Sequence, residues 1–218
     1  MSSTAWPAAS SGRTARWAWA PLRASFFVSG ACALTYQVCW QRALFGAVGV
    51  DIDSVTLIVS CFMLGIGLGG MAGGVLADRH PRRRVQLYAA CELLLALFGV
   101  CSLWLVRVVS DLVAVDGGGG RGVTAVAVFA LLAIPTTLMG ATLPILTMAF
   151  DRLIQNVGLS VGTLYFWNTL GAAVAAWLCP FVLFDHIGLA QCVQLAAAGN
   201  VAVALTALAV ARPERQQT

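Results

Sequence analysis

The sequence has little charge and contains no lysine. Only 10% of its 218 residues are charged, and all 13 basic residues are arginines. A soluble domain carries roughly 25% charged residues, so this chain cannot cover a water-facing surface with polar groups. Because 60% of the residues are hydrophobic, the composition excludes a soluble globular protein. It predicts an integral membrane protein whose main partner is the lipid bilayer.

The sequence also lacks the cysteine spacings that mark metal, haem and redox sites. Its 7 cysteines form no CxxC or CxxCH pair, and each lies within an apolar stretch: Cys32, Cys39, Cys61, Cys91, Cys101, Cys179 and Cys192. Zinc binding, haem attachment and a thioredoxin-like centre are therefore unsupported. An odd number of scattered cysteines indicates small apolar residues that fill space between helices. No metal site and no cofactor is predicted.

Six long apolar stretches make up most of the chain. Each reaches the roughly 20 residues that a helix needs to cross a hydrocarbon core of about 30 Å. They lie at Ala24–Val48, Ile52–Leu76, Val85–Ser110, Gly122–Phe150, Gly158–Phe184 and Leu189–Ala211. We therefore predict an all-α polytopic membrane protein with about six transmembrane helices. An N-terminal arm (1–23) precedes the transmembrane domain (24–211), and a short tail (212–218) follows it.

The positions of the arginines predict the orientation of the helices. With the N-terminus in the cytoplasm, 10 of the 13 arginines fall in cytoplasmic segments: Arg13, Arg16, Arg23, Arg79, Arg82, Arg83, Arg84, Arg152, Arg212 and Arg215. The positive-inside rule then places both termini in the cytoplasm, for a protein of the bacterial inner (plasma) membrane. The arginines lie between apolar stretches and form no continuous basic surface, so no nucleic-acid partner is predicted.

The second apolar stretch is rich in glycine and contains the pattern GxGxxG. Dinucleotide binding by that pattern requires a preceding strand and a water-accessible helix start, and neither fits a membrane span. The spacing instead places Gly65, Gly69 and Gly73 on one helix face, with Gly70 and Gly74 beside them. A face without side chains allows another helix to approach closely, so these glycines are predicted to pack helices together.

The segment that follows reads Gly74-Val-Leu-Ala-Asp78-Arg79-His80-Pro81-Arg82-Arg83. It resembles the loop signature of the major facilitator transporters, although Pro81 stands where that family usually has glycine. An acid at a helix end can pair with an arginine or cap a neighbouring helix. Asp78, Arg79, Arg82 and Arg83 are therefore a candidate cytoplasmic loop lock. The alternative, that the arginines only retain the loop in the cytoplasm, stays open.

Two later stretches contain residues that are unusual in membrane helices. Pro135 and Pro144 remove backbone donors from the fourth span and predict kinks, with nearby threonines able to bond the freed carbonyls. Such kinks can flank a cavity, but a static bend is the favoured interpretation. Asn168 in the fifth span needs a polar partner, which is either another helix or a ligand.

The most unusual single residue is Glu92, an acid about 10 Å into the third span at 1.5 Å per residue. Such an acid is either a site that handles a cation or proton, or a structural group paired with an arginine or hydrogen-bonded in the bundle. Gln37 and Arg42 in the first span complete the candidate intramembrane polar site with Glu92 and Asn168. Tyr36 and Trp40, one turn apart, fit an aromatic belt at the membrane surface.

Taken together, these segments resemble the membrane portion of membrane-bound spermidine-synthase-like proteins, itself similar to a six-helix half of a major facilitator transporter. The resemblance covers about residues 26–190. Its motifs are Phe26–Gly30, Tyr36–Arg42, Leu64–Arg79, Glu92–Leu94, Pro135–Pro144 and Leu164–Ala173.

The resemblance implies a helical bundle that members of the family usually combine with a cytoplasmic aminopropyltransferase domain of Rossmann type. This sequence contains no counterpart of that domain, so the resemblance does not imply synthase activity here. A second departure is Gln37, where relatives often have an acid. That change puts a cation-handling role of the first helix in doubt.

Two functions from different classes follow. The first is a non-catalytic membrane subunit or anchor that scaffolds a partner protein or a larger membrane complex. The second is a half-size transporter that forms a homodimer and carries a small, polyamine-like cation. No nucleophile–base pair or metal set is visible in the sequence, so no catalytic residue is predicted.

Overall fold

The computed structural model of the protein describes residues 12–48, 52–115, 121–154 and 156–211. Within these ranges all regular structure is helical. Six long helices follow one another: α1 Gly12–Val48, α2 Ile52–Arg79, α3 Arg84–Val115, α4 Arg121–Ile154, α5 Val157–Leu178 and α6 Gly188–Ala211. The predicted tail and the first 11 residues of the predicted arm lie outside the described ranges, and α1 begins inside that arm.

Five stretches in the described ranges are long and apolar enough to cross a membrane, which makes the chain a multi-pass membrane protein. They are Ile58–Arg79, Arg84–Val109, Phe129–Asp151, Val157–His186 and Gly188–Val210. The predicted number was about six, and α1 is the helix that falls short. Its sequence includes serine, threonine, glutamine and arginine. Much of α1 is covered by α3, α5 and α6, so these side chains need not all face lipid.

The glycine-rich face of α2 packs against α4. A Cβ atom added at Gly65 would overlap Thr136, and one added at Gly69 would overlap the backbone of Thr137. From the other side, a Cβ atom at Gly140 would overlap the backbone of Ile66. The two backbones therefore approach as closely as the missing side chains allow, which is how helices associate in lipid.

The remaining glycines of α2 contribute unequally to this contact between α2 and α4, which we call the α2–α4 seam. Gly73 meets Ala141, whereas Gly70 has only the carbonyl oxygen of Gly140 at 3.9 Å, and Gly74 has nothing within 4 Å. Gly67 is also open. The seam thus uses the residues at four-residue spacing, and Gly67, Gly70 and Gly74 lie on a different side of the helix.

Helix α4 runs as one helix through both of its prolines. The hydroxyl of Thr136 donates to the carbonyl of Leu132 at 2.7 Å, and that of Thr142 donates to Met139 at 2.7 Å. Each accepting carbonyl is a neighbour of one that a proline leaves without its usual donor. The segment between the prolines is also the part of α4 that the α2 glycines contact.

The predicted fifth span contains an irregularity that the hydropathy pattern did not indicate. A π-helical turn, Cys179–Leu183, follows α5 and continues into a single α-helical turn, Phe184–His186. Pro180 has no backbone N–H and its ring would clash with the carbonyl four residues earlier, so a wider turn is a natural accommodation. Gly188 then begins α6 with φ of +76°, a conformation that favours glycine.

Candidate functional site

The carboxyl group of Glu92 lies in the interior of the bundle. Glu92 on α3 is 0% exposed, and its Oε1 accepts a hydrogen bond of 2.6 Å from the hydroxyl of Ser29 on α1. Ser29 is itself buried. The observed partner is therefore a hydroxyl group and not an arginine of the loop before α3. Whether the acid has a functional role stays a prediction.

Several other polar atoms are buried and have no hydrogen-bond partner among the described residues. They include Oε2 of Glu92 and the hydroxyl oxygens of Tyr36 and Tyr88. Tyr88 is one helical turn before Glu92 and so lies on the same side of α3. An unsatisfied buried polar group costs roughly 1–3 kcal/mol, so each of these atoms carries an energetic cost in the interior of the bundle.

The aromatic pair on α1 belongs to the core of the bundle. Tyr36 is 0% and Trp40 is 1% exposed, and their rings stack with centroids 5.1 Å apart. A belt residue must reach the headgroup region, so the predicted aromatic belt at these two positions is wrong. Two aromatic residues one turn apart are compatible with a belt and with a core, so the sequence spacing does not distinguish the two roles. The burial of the side chains does.

Asn168 connects α5 to α1. Its side-chain Nδ2 donates to the backbone oxygen of Phe26 at 3.4 Å, and its own backbone lies against Gly30. One turn along α5, a Cβ atom at Gly171 would overlap the backbone of Phe27. Asn168 therefore bonds between helices, at a point where two glycines bring the backbones together.

Gln37 and Arg42 do not join Glu92 in one cluster of hydrogen bonds. Gln37 is half-buried, and Arg42 is exposed, with its guanidinium carbon 4.9 Å from the centroid of the Phe184 ring. Such a cation–π contact is worth about 0.5–1 kcal/mol at exposed sites. The four residues of the predicted polar site therefore lie in three different environments.

The loop between α2 and α3 is organised by Arg84, which the sequence interpretation did not single out. Its Nε donates to the carbonyl of Ala77 at 2.9 Å, and a terminal nitrogen donates to Met148 of α4 at 2.9 Å. Its other terminal nitrogen is 4.0 Å from the carboxylate of Asp78, which is 67% exposed. The predicted lock residues Arg79, Arg82 and Arg83 are exposed. A lock function of this loop stays a prediction.

An open groove of about 390 Å³ lies beside α1 and the first half of α5. Its lining residues are Arg23, Gly158, Leu159, Gly162, Thr163, Phe166 and Trp167. None of the residues in the predicted polar site lines this groove, which separates it from Glu92.

Three cysteines that are far apart in the sequence come together in the fold. The sulfur atoms of Cys39 on α1, Cys179 in the π-helical turn and Cys192 on α6 all lie within 4.8 Å of one another. All three residues are fully buried. Residue spacing carries no signal for this group, because each cysteine comes from a different helical element.

The chain is similar to parts of two known proteins. It is 27% identical over 166 residues to polyamine aminopropyltransferase 2 of Streptomyces coelicolor, a match that covers 76% of this chain and 29% of that protein. It is 25% identical over 188 residues to the polyamine aminopropyltransferase of Oceanobacillus iheyensis, covering 84% of this chain and 34% of that protein. The chain thus spans about a third of the length of the curated relatives it matches. No family model and no solved structure matches it.

Proposed function

We propose that this bundle is a non-catalytic membrane module that anchors an aminopropyltransferase-type partner at the cytoplasmic face of a bacterial inner membrane. The observation that carries the proposal is the similarity of most of this chain to about a third of two polyamine aminopropyltransferases. Because the matched chain consists of apolar helices, the similarity concerns a membrane portion. The transfer chemistry then belongs to the part of each relative that this chain does not cover.

The burial of Glu92 supports an anchor over a carrier that binds solute at this acid. A solute site must open to water, whereas the carboxyl group of Glu92 is 0% exposed and bonded to Ser29. Close backbone contacts along the α2–α4 and α1–α5 seams also favour a rigid bundle, since packed interfaces resist deformation.

The α2–α3 loop offers a docking surface for the partner. Arg79, Arg82 and Arg83 are exposed side by side, and Arg84 fixes the loop to α2 and α4 through two carbonyls. The positive-inside rule assigns this loop and both termini to the cytoplasm. A basic surface of this kind attracts an acidic patch on a soluble domain.

The test is purification of the tagged chain in mild detergent from cells that express it naturally. We expect aminopropyl transfer to a polyamine to co-elute with the chain at a fixed stoichiometry. The R82E/R83E variant should reduce the co-eluting activity at least about tenfold, as expected when like charges face each other at an interface. Asp185→Asn, at an exposed position in the turn before α6, is the matched control and should leave it unchanged. Elution of the chain as a lone monomer without transfer activity would overturn the proposal.

The orientation is tested separately with reporter fusions. A fluorescent protein that folds only in the cytoplasm should be bright when fused after Thr218, and a periplasmic phosphatase fused there should be inactive. The reverse pattern would place the loop arginines outside and remove the proposed docking surface.

A half-size transporter is the second candidate function, and one observation favours it. Gly67 and Gly74 of α2 have no atom within 4 Å of an added Cβ, so that side of α2 can receive a helix of a second copy in a major-facilitator-like dimer. Both relatives are polyamine aminopropyltransferases, and we therefore propose a polyamine as the solute. Vesicles that contain the chain should then take up labelled spermidine, and Glu92→Gln should abolish uptake. Absence of uptake by the unaltered chain would eliminate this function.

A further inference from the structure

The buried cysteine cluster has the composition of a site for a soft metal ion. Cys39, Cys179 and Cys192 place three sulfur atoms within 4.8 Å of one another. Their surroundings are apolar, with Tyr36, Trp40, Leu44, Val193 and Ala196 among the buried residues of the same cluster. Three thiols from three separate helical elements meet here, and Cys32 and Cys61 belong to the same buried cluster without joining the group of three sulfurs.

Cys179 lies at the start of the π-helical turn. Its carbonyl accepts from the backbone N–H of Phe184, five residues later. π-turns inside α-helices are rare and are frequently found at functional sites. An uninterrupted α-helix would rotate the residues after Pro180 differently and change how the end of α5 meets α6. The irregular turn and the cysteine cluster therefore occur at the same place.

The size of the cluster suits a metal held by three sulfurs. An ion at the centre of a triangle with 4.8 Å sides is at most about 2.8 Å from each corner, and a metal–thiolate bond such as Zn–S is about 2.3 Å. Each sulfur then needs to move inward by only about half an ångström. A change of roughly 15° in χ1 moves a cysteine sulfur by that distance, which remains within one rotamer well.

The number and type of ligands select among metals. Structural zinc almost always takes four ligands, and no histidine, acid or fourth cysteine of the described residues joins this group. Soft thiolate ligands favour Cu(I), an ion that accepts two or three sulfurs. A ligand set of three sulfur atoms also excludes hard ions such as Mg²⁺, which require oxygen ligands.

A positive charge lies close to the cluster along α1. Arg42 is one turn after Cys39, and its guanidinium group lies over Phe184, the residue that closes the π-helical turn. When Cu(I) replaces the protons of two thiols, the complex carries one negative charge. A guanidinium group one turn away attracts that charge, and the exposure of Arg42 to its surroundings limits the size of the effect.

We propose that Cys39, Cys179 and Cys192 form a binding site for one Cu(I) ion. Two of the thiols release their protons to solvent as two S–Cu bonds form, and the third sulfur coordinates as a thiol. Copper stays in the +1 state and no sulfur is oxidised, so the step requires no electron acceptor. The site is independent of the proposed anchor function, because none of its ligands lies in the α2–α3 loop.

The test uses the full-length chain, purified in detergent, reduced and kept free of oxygen. It is titrated with Cu(I) in competition with bicinchoninate, which reports free Cu(I) by its colour. We expect one equivalent of Cu(I) to bind, with X-ray absorption showing only sulfur neighbours at a Cu–S distance of about 2.2–2.3 Å, close to other metal–thiolate bonds. Each of Cys39→Ser, Cys179→Ser and Cys192→Ser should weaken Cu(I) binding at least about tenfold and reduce the sulfur neighbours from three to two, and the variant with all three cysteines replaced by serine should lose the equivalent.

A matched variant separates the cluster from ordinary thiol reactivity. Replacing the other four cysteines, Cys32, Cys61, Cys91 and Cys101, by serine or alanine should leave the single Cu(I) equivalent in place. Arg42→Gln should weaken Cu(I) binding about tenfold, in the range found for groups outside the ligand shell. Circular dichroism and gel filtration of each variant verify that it is folded.

Three outcomes would overturn the proposal. The first is retention of Cu(I) by a folded variant in which Cys39, Cys179 and Cys192 are all replaced by serine, which would locate binding elsewhere. The second is failure of the unaltered, fully reduced chain to bind Cu(I) in competition with bicinchoninate. The third is stoichiometric Zn(II) binding without Cu(I) binding, which would show that the ligand set is completed by a group other than these three sulfurs.

Discussion

The hydroxyl of Ser29 and the carboxyl group of Glu92 are joined at 2.6 Å between residues 63 positions apart. One heptad further along both helices, the ring of Tyr36 lies against Gly99, again 63 positions away. The equal separation means that α1 and α3 run parallel in this region. A polar bond and a close steric contact therefore define one register between the two helices.

The contact between Tyr36 and Gly99 predicts that Gly99→Ala is destabilising. The added Cβ would overlap the phenol ring of Tyr36, and overpacking of this kind costs roughly 1–3 kcal/mol. Thermal unfolding in detergent should show a lower midpoint for G99A. Gly162→Ala, where an added Cβ has nothing within 4 Å, is the control and should be neutral or slightly stabilising.

A second substitution tests the contact itself. Because the hydroxyl of Tyr36 is the atom nearest to the added Cβ, Tyr36→Phe should recover part of the stability that Gly99→Ala loses. Strict additivity of the two changes would show that they do not act through a shared contact.

The hydrogen bond between Ser29 and Glu92 predicts that Ser29→Ala lowers the stability of the folded protein. It removes the hydroxyl that donates to Oε1 of Glu92 at 2.6 Å, and a buried group left without its partner costs roughly 1–3 kcal/mol. Unfolding of S29A by a denaturing detergent should measure this loss. In the E92L background the same change should cost much less, since no carboxyl group remains to satisfy. An equal loss in both backgrounds would mean that the bond contributes nothing.

The α2–α4 seam predicts a contrast between neighbouring glycines. Gly69→Ala places a Cβ into the backbone of Thr137, which cannot move away as a flexible side chain can, so it should destabilise by at least about 1 kcal/mol. Gly67→Ala meets open space and should gain up to about 1 kcal/mol of helix propensity. Equal midpoints for the two variants in thermal unfolding would contradict the finding that Gly69, and not Gly67, contacts α4.

The α2–α3 loop predicts that Arg84 matters more than its charged neighbours. Arg84→Ala removes donors from two carbonyls on α2 and α4, at about 1 kcal/mol for each bond. Asp78→Asn should change stability by less than about 1 kcal/mol, because the ion pair is long and Asp78 is largely exposed. Limited proteolysis at the loop measures the effect locally, and Arg82→Ala is the control with an exposed side chain. Faster cleavage of the Asp78 variant than of the Arg84 variant would reverse this order.

The sequence by itself determined the solvent and the secondary structure of this protein. Lipid is the only medium that suits 60% hydrophobic and 10% charged residues. In lipid every backbone group must be hydrogen-bonded within the protein, and apolar stretches of about 20 residues achieve this as helices. Glycines at four-residue spacing predicted a packing face on α2 because helical geometry alone places them together.

The tertiary structure decided which of several equivalent chemical choices was realised. Tyr36 and Trp40 have the spacing of belt residues, yet packing of α1 among other helices puts them in the core. Glu92 had several arginines as possible partners, and the arrangement of α1 beside α3 supplied Ser29 instead. The meeting of Cys39, Cys179 and Cys192 depends on three separate elements, one of which is the π-helical turn. Spacing along one chain describes faces of single helices, whereas contacts between distant residues depend on how those faces are placed against one another.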